Sequence, residues 1–151
     1  MSARMAIWTI WACFLLRAGF YASVIPLWEG YDEYSHFAMI QHVALHGNLP
    51  DPTTANSSAQ VLRSLQLTPV PYTIRNYAAG LTTHDAYWKL PEAERTDRRR
   101  QLRELAGGDL AARPAEPPLW MYEAQQAPLY YWLVAPVYLA VRGLAFLTQV
   151  W

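Results

Sequence analysis

Two apolar segments, one at each end of the chain, constrain its fold more than any other feature. Residues 5–27 carry a single charged side chain, Arg17, and residues 127–151 carry only Arg142. At about 1.5 Å of rise per residue, a helix of either length can cross the hydrocarbon core of a bilayer, which is about 30 Å thick. This pattern predicts an all-α integral membrane protein in which two transmembrane helices flank a large, mainly helical loop.

The charged residues are concentrated between these two segments. Residues 28–126 hold all twelve acidic residues and nine of the twelve basic ones, and the net charge of the chain is zero. Without a basic surface to neutralise phosphates, the composition argues against nucleic acid as a partner. We therefore predict three regions, which are a short cytoplasmic tail with the first transmembrane helix (1–27), an extracytoplasmic loop (28–126) and the second transmembrane helix (127–151).

The orientation and the fate of the first segment follow from its flanking residues. Arg4 and Arg142 are the basic residues outside the loop that can lie near a cytoplasmic face, so we place both ends in the cytoplasm of a cell inner membrane and the loop outside. A cleaved signal peptide is the alternative for the first segment. Its apolar character continues to Leu27 and is followed by Trp28 and Glu29, which do not form a small-residue cleavage site, so we favour a retained anchor.

Two helices are predicted within the loop. The first covers residues 31–46, where Phe37, Ile40 and Ala44 recur at helical spacing, and this amphipathic pattern favours a position along the membrane interface. The second covers residues 91–106, with proline at its start, acidic residues in its first half and arginines in its second half, as the helix dipole favours. We interpret the second helix as a solvated surface element.

Four residues that can carry chemistry follow the first apolar segment closely. They are Glu29, Asp32, Glu33 and His36, and Asp32 and His36 share one helical face because they are four residues apart. Two functional interpretations remain open. Asp32 or Glu33 can act as a general base toward an acceptor hydroxyl, or Asp32 and His36 can hold a divalent cation that neutralises a phosphate. The structural alternative is a capping aspartate followed by a surface histidine.

Arg17 is the other residue whose position needs an explanation. It lies near the middle of the first apolar segment, about 15 Å from either end by helical rise. Arginines at that depth usually have a polar partner, so a lipid phosphate or a buried carboxylate is one interpretation. The other is that the span is shifted and Arg17 lies nearer the membrane surface.

These residues resemble a known pattern. Residues 26–37, Pro-Leu-Trp-Glu-Gly-Tyr-Asp-Glu-Tyr-Ser-His-Phe, followed by Gly-Asn-Leu-Pro at 47–50, are similar to the first extracytoplasmic loop of GT-C-type membrane glycosyltransferases. That class includes the protein mannosyltransferases and the aminoarabinose transferases. Residues 122–131 are similar to the Gln-x-Pro-Pro-Leu-Tyr-Tyr element at which such loops re-enter the membrane, with Ala127 in place of the first proline.

The resemblance implies a function and a set of site residues. It implies inverting transfer of a sugar from a polyprenyl-phosphate donor to a hydroxyl of a lipid, protein or glycan. The Asp-Glu pair of the family corresponds to Asp32 and Glu33, which are the expected catalytic residues. The expected substrate-binding residues are Arg17, Glu29, His36, Gln125, Gln126 and Tyr130.

The chain departs from that class in its number of membrane helices, because its enzymes have many more than two. We therefore expect this chain to be the N-terminal module of a longer enzyme, or to assemble with further transmembrane helices or another chain. We expect these 151 residues to be inactive in isolation. The alternative is a non-catalytic two-span membrane protein whose loop binds a partner.

Overall fold

The computed structural model describes residues 2–105 and 108–150 and is mainly helical, as the sequence predicts. The helices, in chain order, are α1 (Ala3–Val24), α2 (Glu33–His46), α3 (Ala59–Leu67), α4 (His84–Lys89), α5 (Glu92–Glu104), α6 (Asp109–Ala112), α7 (Leu129–Val141) and α8 (Phe146–Val150). Two strands of two residues each, β1 (Pro69–Val70) and β2 (Thr82–Thr83), pair in parallel. Two 3₁₀ turns cover Tyr72–Ile74 and Tyr122–Gln125.

Helix α1 stands apart from the packed part of the protein. Its first turn is capped by Ser2, whose Oγ accepts a hydrogen bond from the backbone N–H of Met5. Large apolar side chains are exposed on every side of the helix, as expected for a helix surrounded by lipid rather than by protein. Among the described residues, one helical stretch, Ala3–Tyr21, is both long enough and apolar enough to cross a membrane. None of that stretch is buried by protein.

The second apolar segment differs from the single helix predicted over 127–151. Helix α7 has 13 residues, about 20 Å by helical rise, and the chain then turns before α8 begins at Phe146. The turn is stabilised by Phe146, whose backbone N–H donates a 2.9 Å hydrogen bond to the carbonyl of Leu105 and whose ring is fully buried. Gln149 donates from its side-chain nitrogen to the carbonyls of Arg142 and Leu144. Residue 151 lies outside the described residues.

Helix α2 is the central helix of the packed part. It begins two residues after the predicted start and ends at Gly47, which adopts a left-handed conformation (φ 64°) that favours glycine. Phe37, predicted to face the membrane interface, is buried among aromatic rings of α7 and α8. Gln41 donates hydrogen bonds to Gln60 of α3 and Tyr138 of α7, at 2.7 and 2.9 Å. The helix is therefore packed between two others, and its position relative to a membrane stays a prediction.

Helix α5 corresponds to the predicted polar helix 91–106. Pro91 is its N-cap, and the predicted end at residue 106 lies outside the described residues. Arg98 attaches α5 to its neighbours, because its guanidinium donates to the carbonyl of Gln66 and to Thr82 Oγ, at 3.2 and 3.1 Å. Arg100 pairs with the carboxylates of Asp97 and Glu104 on the exposed surface, as expected for a solvated helix.

Hydrogen bonds between two loop segments, residues 56–57 and 115–119, set the position of the turn at Tyr122–Gln125. The N–H of Ser57 donates to the carbonyl of Leu119, and the N–H of Ala115 donates to the carbonyl of Ser57, both at 2.8 Å. The side chain of Asn56 donates to the carbonyl of Ala115 and accepts from the N–H of Leu119. These bonds fix the segment that precedes the turn, so the turn is held against α2.

Candidate functional site

The first turn of α2 brings two predicted site residues together. Asp32 is the N-cap residue, but its carboxylate makes no capping hydrogen bond. Asp32 Oδ2 lies 3.6 Å from His36 Nε2, and both side chains are about half exposed, at 46% and 40%. The structural alternative raised from the sequence, a capping aspartate, therefore does not describe this carboxylate. It is directed toward the imidazole.

Glu123 joins this pair and was missed by the sequence analysis. Its carboxylate Oε2 lies 3.9 Å from His36 Nδ1, and the side chain is only 1% exposed. Its backbone N–H donates a 3.0 Å hydrogen bond to the buried hydroxyl of Ser35, which attaches the 3₁₀ turn to α2. Oε2 has no hydrogen-bond partner in the structure. One signal in the sequence could have indicated Glu123. It is an acidic residue among the apolar and aromatic residues that precede α7.

Tyr131 fixes the imidazole of His36 from the side of α7. Its hydroxyl lies 2.9 Å from His36 Nδ1, and the two rings stack with centroids 6.0 Å apart. The ring of Tyr131 is buried, so its position is set by packing. One ligand atom from each of Asp32, His36 and Glu123 can be chosen so that all three lie within 4.8 Å of one another. We call these three residues the carboxylate–histidine cluster, and they could together hold a metal ion.

Glu33 and Glu29 have different surroundings. Glu33 is exposed on a neighbouring face of α2, and its side chain covers Gly30 so closely that a Cβ at position 30 would lie 2.5 Å from Glu33 Cγ. Glu29 Oε2 lies 2.6 Å from His84 Nε2 at the start of α4. The structure therefore pairs Glu29 with His84, outside the cluster.

An apolar groove of about 610 Å³ reaches the cluster from the end of α1. Its wall includes Tyr21 and Ile25 at the α1 end and Phe37 and Ile40 on α2. Glu33 and His36 lie in the same wall, as does the exposed Tyr130. The groove therefore connects the apolar helix with the polar residues at the start of α2.

An aromatic cavity of about 380 Å³ lies on the other side of the first turn of α2. It contains Asp32, and its aromatic residues are Tyr31, Tyr34, Tyr77, Trp120 and Tyr122. Burial raises the pKa of the Tyr34 phenol, so this hydroxyl stays protonated and can donate a hydrogen bond. The hydroxyls of Tyr31 and Tyr77 lie 3.0 Å apart, and this bond raises the pKa of Tyr77. Planar rings with neutral hydroxyls are a suitable surface for a polar ring compound.

The remaining predicted residues are not in the cluster. Arg17 is exposed on α1, where its guanidinium lies 5.3 Å from the ring centroid of Tyr21, a residue at the α1 end of the apolar groove. Gln125 and Gln126 follow Glu123 in the chain, and both side chains are exposed. Of the residues predicted from the sequence, the structure thus brings together Asp32 and His36 directly, with Glu33 and Tyr130 in the adjoining groove.

Comparison of the chain with protein-family models, with curated proteins and with solved structures found no match.

Proposed function

We propose that this chain is a GT-C-like module for glycosyl transfer at a membrane surface. In this proposal α1 crosses the cell inner membrane, α7 meets the bilayer again, and residues 28–126 lie outside the cytoplasm. The sugar comes from a polyprenyl-phosphate donor and is transferred to a hydroxyl of a lipid, protein or glycan. The observation that carries the proposal is that an apolar groove, lined by Glu33 and His36, and an aromatic cavity, lined by Asp32, lie on either side of the first turn of α2.

The groove has the properties that a lipid-linked donor requires. It begins at Tyr21 and Ile25, at the end of the apolar helix, so a polyprenyl chain can leave the bilayer without exposing its hydrocarbon to water. At its polar end His36 can contact the anionic phosphate that links lipid and sugar. The exposed guanidinium of Arg17 lies beside Tyr21, at the opposite end of the groove, where it can attract that phosphate during approach.

The aromatic cavity supports the other half of the reaction. Sugar rings present apolar C–H faces that pack on aromatic side chains, and their hydroxyls bond to phenols and carboxylates. Asp32 lines this cavity, and in this proposal it orients an acceptor hydroxyl and takes its proton. The acceptor oxygen then forms a bond to the anomeric carbon, the bond from that carbon to the phosphate oxygen breaks, and the phosphate leaves with the electron pair.

A second candidate is a non-catalytic membrane protein whose partner is another membrane helix. It is favoured by the outer face of α7, where Leu129, Leu133 and Val137 recur at intervals of four and are each more than 60% exposed. Such a stripe suits packing against a further transmembrane helix or against lipid. Glycosyl transfer also allows this contact, so the two candidates are distinguished by whether transfer depends on the carboxylates of Asp32 and Glu33.

The deciding experiment substitutes Asp32→Asn and Glu33→Gln, singly and together, at the chromosomal locus of the gene. Membranes from these cells are supplied with a polyprenyl-phosphate-linked radiolabelled sugar, and label in lipid, protein and glycan fractions is measured. We expect the double variant to lose at least about 100-fold in transfer, the size of a general-base contribution. Asp51→Asn is the matched control, an exposed carboxylate of the same loop that lines neither the groove nor the aromatic cavity. Unchanged transfer with normal protein levels in the membrane would favour the second candidate.

A further inference from the structure

We propose that Glu123 completes a binding site for a divalent cation with Asp32 and His36. The spacing of Asp32 and His36 in the sequence indicates a pair of candidate ligands, which is too few for a stable site. The fold adds Glu123 as a third ligand, 87 residues after His36 in the chain. The role of the cation in transfer rests on the proposed function, whereas its binding does not.

The environment of Glu123 is the observation that points to a ligand. An ionised carboxylate withdrawn from water is strongly unfavourable unless it is paired or coordinates a metal. The side chain is 1% exposed, yet its Oε2 has no hydrogen-bond partner and is the atom nearest His36. The imidazole of His36 makes no hydrogen bond to this oxygen, because Nδ1 lies 3.9 Å from Oε2. Nδ1 is instead hydrogen-bonded to the Tyr131 hydroxyl, at 2.9 Å. A cation between the carboxylates and the imidazole would satisfy this oxygen.

The spacing of the donor atoms suits coordination after small side-chain rotations. Ligand atoms about 2.0–2.6 Å from a common ion lie about 3–4 Å from one another. The three candidate atoms here lie within 4.8 Å of one another. The side chains of Asp32 and His36 are half exposed and can rotate toward Glu123. The main chain of Glu123 is fixed by its hydrogen bond to Ser35. The contact with Tyr131 orients the imidazole, as outer partners of ligating histidines commonly do.

The chemistry of the donor set indicates the class of cation. Two carboxylates and one imidazole form a set of hard oxygens with one nitrogen, which suits Mn²⁺ among the first-row divalent ions. Three protein ligands leave coordination positions open for oxygens of another molecule. Since His36 lies in the wall of the apolar groove, a donor phosphate in that groove could supply those oxygens. The cation would stabilise negative charge on the leaving phosphate, and Asp32 Oδ1 would remain available to the acceptor hydroxyl.

The experiment measures Mn²⁺ binding to the purified full chain in detergent, after treatment with a chelator and without any sugar donor. Electron paramagnetic resonance gives the free Mn²⁺ concentration, and thermal unfolding is followed in parallel. We expect one bound equivalent, and a rise in Tm on adding Mn²⁺. Glu123→Gln should weaken binding at least about tenfold and abolish the rise in Tm. This variant keeps the backbone bond to Ser35, and circular dichroism shows whether it is folded.

Two further variants keep the result decisive. His36→Gln removes a half-exposed ligand and should weaken Mn²⁺ binding to the same degree as Glu123→Gln. It therefore still tests the proposal if Glu123→Gln fails to fold. His42→Gln tests for adventitious binding, because the rings of His42 and His46 lie 4.6 Å apart on α2. Binding that is lost in His42→Gln but kept in Glu123→Gln or His36→Gln would overturn the proposal, and so would no binding by the wild type. Mn²⁺ binding without glycosyl transfer would leave the cation site standing and remove only its proposed role.

Discussion

The indole Nε1 of Trp28 donates a 3.0 Å hydrogen bond to the hydroxyl of Ser64, 36 residues further along the chain. Trp28 is 1% exposed and packs against the rings of Phe37 and Phe146. Its backbone is in the left-handed region, with φ at 67°, which costs a non-glycine residue about 1–2 kcal/mol. The burial of the indole therefore outweighs the backbone strain. This residue attaches the segment that follows α1 to α3 and α8.

Replacing this anchor should destabilise the packed part of the protein. We expect Trp28→Ala to lower the free energy of unfolding by about 3–5 kcal/mol, because it removes a fully buried aromatic ring and leaves a cavity. The measurement is chemical denaturation of the full chain in detergent, followed by tryptophan fluorescence and circular dichroism. Trp88→Ala is the matched control, since Trp88 is 57% exposed on α4. Equal losses in the two variants would contradict the role given to Trp28.

The elements set by local chemistry could be predicted well from the sequence. The end of α2 follows from Gly47, and the start of α5 follows from Pro91, because caps and helix breakers act within a few residues. Asp32 and His36 could be paired for the same reason, since helical spacing alone puts them on one face. The long apolar helix α1 was also expected from its length and composition, although its membrane insertion stays a prediction.

The features set by long-range contacts could not be predicted in this way. Nothing near Phe146 in the sequence indicates that its ring is buried and that its N–H reaches Leu105, so the break between α7 and α8 was missed. Glu123 reaches the first turn of α2 only because hydrogen bonds between the segments around Ser57 and Leu119 fix the preceding chain. In both cases the partner lies tens of residues away, where periodicity carries no information.

The stability of the packed part should depend on the protonation of His42. Burial, and secondly the neighbouring imidazole of His46, lower the pKa of His42 below its ordinary value of 6.5. The folded state thus favours the neutral ring more than the unfolded state does. This contribution to stability is fully present above pH 6.5 and is lost as the pH falls through the lower, folded-state pKa. We expect the denaturation midpoint of the full chain to decrease between pH 7.5 and pH 5.

Two substitutions separate His42 from other groups that titrate in the same range. His42→Gln should make the decrease shallower, because the group with the lowered pKa is gone. His46→Gln should also reduce it, since one cause of the lowered pKa is removed while His42 stays in place. Denaturation midpoints at matched pH values are compared with those of the wild type. An unchanged pH slope in His42→Gln would assign the effect to other residues.

The single cysteine of the chain offers a direct test of the proposed topology. Cys13 lies on α1 with no protein packed over it, about 15 Å along the helix from its start, so a bilayer should be what shields it. We expect a membrane-impermeant maleimide to leave Cys13 unmodified in intact spheroplasts and to label it once detergent and denaturant are added. The matched variant combines Cys13→Ser with Thr73→Cys, an exposed position in the loop, which the reagent should label at once in spheroplasts. If Thr73→Cys reacts only after the cells are opened, the loop faces the cytoplasm. A donor presented at the outer surface would then be out of reach of the carboxylates of α2.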